Sequence, residues 1–501
     1  TYEGDLMAKA GVSYIIGRED NKQYGETYNG VQLMKGHQFP DGVDPYKIKG
    51  DSTSGLLWGI SPAALSSDGT GDKLVQAYNY RICLTDNPAN KIEITRPENY
   101  DSTKYELLLR LFDAQPNKRK LNHYFIWSRM PNNKTDINNR GGFSTDMIGM
   151  NHNYPEASYE ERAEIIKAHK DYTQGLLYFY KTDPRVPQEL RDEIQAWGYP
   201  KDEYTEDNHW SPQLYIRESR RMTGDYVMTQ AHCEGRETVT DGIGMAAYTM
   251  DSHNCQRLLV KKDGKYIVKN EGNVEIGGGL PYPISYRSII PKEEECKNLL
   301  VPVCLSASHI AYGSIRMEPV FMVLAQSAAI AAAEAINTGS VQTVDIKKVQ
   351  ALLHENPLLD DSFSEILIDD SELDLSINND WEVIKKQGGY GPTFLKSKVR
   401  NGSPVRFSPH MEHEGKYKVY TYYHMRKDIS PAITYSISNG IDSWTRVIHK
   451  DSVRIEGQTT GEWIELGTYN FQKSSMPYKK ISPGDTSGAV IADAVLFIPV
   501  K

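Results

Sequence analysis

Residues Asn298–Asn337 read NLLVPVCLSASHIAYGSIRMEPVFMVLAQSAAIAAAEAIN: an apolar run, a polar loop, then a long stretch of small residues. Leu299–Cys304 is too short and too β-branched for a helix and predicts a buried strand. Met317–Ile336 predicts a helix, stopped by Asn337 and Gly339. Its small residues Ala325, Ser327, Ala328, Ala329, Ala331, Ala332 and Ala333 would let a backbone or a flat ring come close. The loop Ser306–Arg316 then falls at the carboxyl end of a strand and beside a helix N-terminus. Open α/β folds place ligands there, and free N–H groups favour a negative or electron-rich group. The same letters equally serve a buried strand and helix joined by an ordinary connector.

Working outward, 501 residues exceed one ordinary core, so two or more domains are expected. A net charge of -9 and a pI near 5.9 argue against a nucleic-acid partner. Gln326 and Glu334 interrupt the alanine-rich helix, and no membrane span is expected. Five cysteines lack CxxC spacing, so neither a disulfide framework nor a zinc site is predicted, and no other metal ligand set is assigned. The chain opens on TYEGDLMAKAGVSYIIGRED, without an initiator methionine or a leader, which predicts a fragment or a processed form.

Along the chain, Glu3–Ala10 predicts a short helix, and Arg18, Glu19, Tyr24 and Glu26 are polar enough to line a site or an exposed loop. Gln32–Ser67 reads as irregular cover. Leu74–Leu84, Lys91–Thr95 and His123–Trp127 predict strands, and Pro97–Phe112 a helix capped by Asp101 or Ser102. Asn138–Tyr154, with Asp146, Asn151 and His152, reads as a loop near a site or as a structured turn. Ser158–Tyr180 predicts a helix whose His169 sits among apolar residues and reads as a core histidine. Gln188–Trp197 predicts another. In QLYIRESRRM, alternation predicts a strand with Tyr215, Arg217, Ser219 and Arg221 on one face and Leu214, Ile216 and Glu218 on the other. Arg217 and Arg221 suit an acidic sugar or a pyrophosphate, or salt bridges to nearby glutamates. After about Asp374 the periodicity becomes that of strands: Tyr417–Tyr423, Ala432–Ser438, Thr445–His449, Trp463–Phe471 and Ala489–Ile498 predict a β-sandwich.

CLSASHIAYGSIRMEP (304–319), AAYTMDSHNCQR (246–257) and LPYPISYRSIIP (280–291) resemble the FAD-dependent oxidoreductases of the glutathione-reductase-like type. They resemble in particular a secreted bacterial subfamily often labelled xanthan lyases. The chain departs from that family's Gly-Gln-Ala-Ala-Gly with Ala325, Gln326, Ser327, Ala328 and Ala329. GKYKVYTYY, GEWIELGTYNF and GAVIADAVLFIP resemble the golvesin-like module, a carbohydrate-binding-like domain.

The resemblance implies an α/β, FAD/NAD(P)-binding Rossmann-like fold incomplete at the N-terminus, with an α+β substrate domain and an all-β sandwich. Residues 1–372 would be the oxidoreductase region, with 1–30 and about 235–372 on the cofactor side and about 31–234 as substrate part. Residues 375–501 would be the golvesin-like module. The first strand and GxGxxG turn would lie upstream of residue 1; the run Gly277, Gly278, Gly279 is no substitute. Implied cofactor contacts are Ser306, Tyr312, Gly313, Ser314 and Gln326. Hydride would pass from a polar, carbohydrate-related substrate to FAD, with His309 as base, Arg316 holding negative charge, Glu318 orienting it, and His253 and Arg287 positioning substrate. Arg217, Arg221, Asp251, Asn254 and Tyr286 would bind substrate. Trp381, Tyr390, Tyr422, Trp444 and Trp463 are candidate sugar-stacking aromatics or core residues. The alternatives are a xanthan-type polysaccharide lyase and a non-catalytic saccharide-binding protein. The family and the module imply an extracellular or periplasmic location and a small-molecule or saccharide partner.

Overall fold

Ser158 starts the 24-residue helix Tyr159–Thr182. Its hydroxyl accepts from the Glu161 N–H while the Glu161 carboxylate accepts from the Ser158 N–H, a closed capping box. One face buries Tyr172, Leu176, Phe179 and Tyr180 against Tyr78, Tyr105, Phe112 and Tyr124. Each such side chain contributes about 1.5–3 kcal/mol. The computed structural model of the protein describes residues 2–278, 281–355, 362–373, 380–385, 389–391, 393–455, 461–473, 476–482 and 488–500. Gly279, Asp374 and the first residues of the predicted module lie outside these. The chain divides into two units, Thr1–Gln350 and Ala351–Lys501.

In the first unit the sheets are two-stranded and antiparallel. Phe125–Met130 pairs with Lys134–Asn139, and Gln256–Lys262 with Lys265–Glu271 through a tight turn at Asp263 and Gly264, both at positive φ. Met250–Ser252 pairs with Val274–Ile276, and Gly242–Ala246 with Tyr282–Ser285. Among the described residues of this unit, the parallel pairing is the single bridge Met228 to Ala307, so no doubly wound sheet forms here.

Several sequence expectations are corrected. Leu299–Cys304 is not a strand: Pro302 has no N–H to give a ladder, and the run is fixed by the single bonds Val301 N–H to Ile289 O and Met222 N–H to Cys304 O. Leu74–Leu84 is extended but bridges only at Asn79 and Ile82. The segment 214–222 is a strand only at Arg221–Met222, and Glu218 and Arg221, expected on opposite faces, are ion-paired.

The loop Ser306–Arg316 is itself largely helical. Ser308 caps the helix His309–Ile315, all seven of whose residues are buried. After Arg316 the second helix, Glu318–Thr338, runs to Gly339 at positive φ, within two residues of the predicted bounds. It buries Phe321, Leu324, Ser327, Ala328, Ile330 and Ala331, and Ser327 donates to Ile243 O. Met322 and Ile336 on the other side are 72 % and 83 % exposed. By length and composition alone this helix could cross a bilayer, although a third of its most apolar window is buried in the unit.

The second unit is all-β. Ile366–Ile368, Val495–Pro499, Gly415–His424 and Gly461–Phe471 form one antiparallel sheet. Trp381–Ile384, Phe394–Ser397 and Ile491–Ala492 form another, and Val405–Phe407, Tyr478–Ile481, Ala432–Ser438 and Ser443–His449 a third. All three contribute to one apolar core.

Candidate functional site

Two polar networks meet around the helix His309–Ile315. In the inner one, the His309 ring lies 2.7 Å from Glu218 Oε2 through Nδ1 and 3.0 Å from Ser252 Oγ through Nε2, while its backbone N–H donates to Glu19. Arg221 pairs with Glu19 at 2.6 Å and with Glu218 at 2.7 Å, and donates to Ala307 O and Gly17 O. Ser308 and the Gln230 N–H donate to Glu26, and Asn29 donates to Glu19 and Glu26. Burial alone would raise the Glu218 carboxyl, but the His309 ring and Arg221 outweigh it and hold it at about 2. Every member is buried and engaged with the chain's own groups.

The outer network reaches solvent. Asp146, fully buried, pairs with Arg217 at 3.0 Å and with His253 Nδ1 at 2.6 Å. His253 is 12 % exposed, and its Nε2 lies 3.9 Å from Asp251. Arg316 donates to the Asp251 carboxylate and carbonyl, both at 3.1 Å, and to Tyr215 Oη at 3.2 Å. Nearby, His37 pairs with Glu275 and its carbonyl accepts from Asn254. Burial and the Arg217 guanidinium push His253 below its usual range despite Asp146, so the ring is neutral near pH 7. Asp146 is held low by Arg217 and His253 against the opposing effect of its burial.

The fold therefore joins His253, Asp251, Arg217 and Arg316, and seats His309 and Arg221 one layer further in. It does not join Arg287 or Tyr286 to them: Arg287 pairs with Asp241 and lies over the Tyr226 ring, and Tyr286 donates to Val341 O. Glu318 is exposed in the first turn of its helix, and Asp251 rather than Glu318 orients Arg316. The buried arginines Arg217 and Arg221 are both in salt bridges: Arg221 with the glutamates Glu19 and Glu218, and Arg217 with Asp146 rather than a glutamate. His169 donates to Ile165 O inside the core, as expected. Gln76, Ser252, His37 and Glu275 join these networks unannounced by the sequence, except that Gln76 is a polar residue inside the apolar run Leu74–Tyr78. A cleft of about 1070 Å³ lies elsewhere on this unit, lined by Tyr14, Leu74, His152, Glu156, Glu161 and Ile165 among others.

The profile of the FAD dependent oxidoreductase family matches residues 1–353. The chain belongs to the FAD dependent oxidoreductase family. Membership implies dependence on FAD. The Golvesin C-terminal domain profile matches residues 366–499 of this oxidoreductase family member. No curated protein matches it significantly. Similar solved structures include a Paenibacillus xanthan lyase, at 22 % identity over 28 % of this chain and 13 % of that one, TM-score 0.24. A Podospora anserina GH26-CBM35 β-(1,4)-mannanase matches at 10 % identity over 27 % and 28 %, TM-score 0.21. A carbohydrate-binding module of Cellvibrio mixtus lichenase 5A, solved with cellotriose, matches at 12 % identity over 27 % and 97 %, TM-score 0.20. The chain spans less than a third of the first two.

The positions assigned to flavin contact are engaged with the chain's own groups. Ser306 Oγ accepts from the Gly224 N–H, and Ser314 donates to Tyr248 O and accepts from Tyr282. Tyr312 is buried, and a Cβ on Gly313 would meet Asp251 O at 2.7 Å. Gln326 is half-buried on the long helix. These residues bond and pack within the chain itself.

Proposed function

We propose that this chain carries the proton-handling side of an FAD-dependent oxidation of a polar, carbohydrate-related substrate. The observation that supports it is the pairing of His253 with the buried Asp146. A neutral imidazole, oriented through Nδ1 and 12 % exposed, is suited to accept a proton from a substrate hydroxyl. Arg316, fixed by Asp251 and Tyr215, supplies a positive charge on the same side for the oxygen left behind. In this reading His253 takes the role of base, and His309, enclosed by Glu218 and Ser252, positions the helix that carries Arg316.

The test supplies the protein with FAD, a saccharide panel and a redox dye. The expected result is dye reduction with at least one saccharide and a loss of about 100-fold or more in His253→Gln, the scale of a general base. An unchanged rate in the variant would overturn the assignment, and unsaturated uronate formed from xanthan without dye reduction would favour the lyase.

A second reading, saccharide binding by the all-β unit, is favoured by one cluster. Tyr390, Tyr422 and Trp463 have ring centroids 5.2–5.9 Å apart, and Tyr390 is exposed. Trp381 donates to Ser403 O in the core, and Trp444 packs on Tyr469, so neither belongs to that cluster.

A further inference from the structure

Three carboxylates of the all-β unit have no cation among the described residues to neutralise them at contact distance. Asp369 and Asp370 follow the strand Ile366–Ile368, whose Ile368 is paired with Val495. Asp493 lies between Ile491–Ala492 and Val495–Pro499, so the pairing brings all three to one corner of the sheet. One oxygen from each lies within 4.8 Å of the others. Asp370 and Asp493 are 2 % and 0 % exposed.

Only part of this oxygen set is used. Asp370 Oδ2 accepts from Thr393 at 2.9 Å and Asp493 Oδ2 from the Tyr390 N–H at 3.0 Å. Asp369 Oδ1 accepts from Ser371, at 3.1 Å from its N–H and 2.5 Å from its hydroxyl. Asp369 Oδ2, Asp370 Oδ1 and Asp493 Oδ1 are buried with no hydrogen-bond partner among the described residues. Burial and mutual repulsion raise Asp370 to about 6, and Asp493 to about 7. The buried Lys479 acts on Asp493 from a distance, yet burial pushes it well below its usual range and its amine donates to Thr421 Oγ1. Leaving buried carboxylate oxygens unpaired forfeits their hydration with nothing in return, which destabilises the fold.

We propose that Asp369, Asp370 and Asp493 hold a hard divalent cation, calcium foremost. Calcium takes carboxylate oxygens at about 2.3–2.6 Å, so two ligands across one ion stand at most about 5 Å apart, the span found here. Gly391 completes the cradle: its φ is ordinary, but a Cβ there would come within 2.7 Å of Asp369 Oδ2. The ion would fix Tyr390, whose backbone is tied to Asp493, and with it the Trp463 contact.

The test strips the full chain with a chelator, desalts it and titrates calcium chloride by calorimetry, following Trp fluorescence and melting temperature in parallel. The expected result is one calcium per chain, a higher melting temperature for the all-β unit, and at least tenfold weaker binding in Asp493→Asn and Gly391→Ala. In chelator the order reverses: Asp493→Asn melts at or above the unsubstituted chain, because a buried charge has gone. That reversal separates ion binding from simple loss of packing, and Asp369→Asn, at the least buried ligand, repeats the affinity test if Asp493→Asn does not fold. Absence of binding by calcium, magnesium and manganese, or binding that Asp369→Asn and Gly391→Ala leave unchanged, overturns the proposal.

Discussion

Replacing Arg221 by methionine tests whether the inner network holds the first unit together. Arg221 faces Glu19 at 2.6 Å and Glu218 at 2.7 Å, and all three side chains are at most 1 % exposed. Unit charges about 4 Å apart at an effective dielectric of about 20 attract by about 4 kcal/mol, so two such pairs give about 8 kcal/mol. Removing the arginine also removes its own desolvation cost, and buried pairs broken on one side lose about 3–5 kcal/mol net. Arg221→Met should therefore destabilise the first unit by about that amount at pH 7 in urea denaturation followed by near-UV circular dichroism. The pH dependence gives a sharper check. In the unsubstituted chain Glu218 is held at about 2, below its unfolded value, so its contribution is complete above about pH 4.5 and fades as pH falls toward 2. In the variant the Arg221 share of that depression is lost while His309 keeps its own, so the gap between the two proteins should narrow below about pH 4.5. A loss under about 1 kcal/mol at pH 7, or a gap that does not move with pH, would refute the reasoning.

Gly313→Ala should lower stability by about 1–3 kcal/mol, since its Cβ would press on the Asp251 backbone; an unchanged melting temperature would show that the strand gives way freely. His169, buried and held at about 4, is protonated in the unfolded chain before the folded one, so stability falls as pH drops from about 6.5 toward 4. His169→Leu should remove up to about 3 kcal/mol of that pH-dependent loss, read from melting temperatures across the range. Ser158→Ala opens the capping box and should cost about 1 kcal/mol, with Ser158→Asp restoring most of it.

Local chemistry was the legible part. Ser158 with Glu161, the small-residue helix up to Gly339, and the alternating strands Ala432–Ser438 and Gly461–Phe471 state their own structure, because caps, turns and periodicity act over a few residues. What alternation could not tell is where a polar run finds its partners. Leu74–Leu84 alternates like a strand, yet its Gln76 bonds Glu218 and its Asn79 bonds Asn138 and Thr145, so bonds to residues remote in sequence replace a ladder. The candidate site shows the same division. His253 and Asp146 were each visible as polar groups in unusual surroundings, but their 2.6 Å contact spans 107 positions. His309 and His253 look alike in sequence, and only the packing of Glu218 and Ser252 around the first separates an enclosed ring from an open one.

The inner network also bears on how the chain is made. Glu19 waits for the His309 N–H, 290 residues later, and Glu26 for Ser308, 282 later. A ribosome must therefore release most of the first unit before its earliest acidic groups meet their partners, and contacts of such separation form slowly. Until then Glu19 and Glu26 remain hydrated and the surrounding apolar segments stay uncovered. Synthesis that stalls short of residue 309 would leave those groups without their partners, whereas the all-β unit closes over a shorter span, its first strand Ile366–Ile368 pairing with its last, Val495–Pro499.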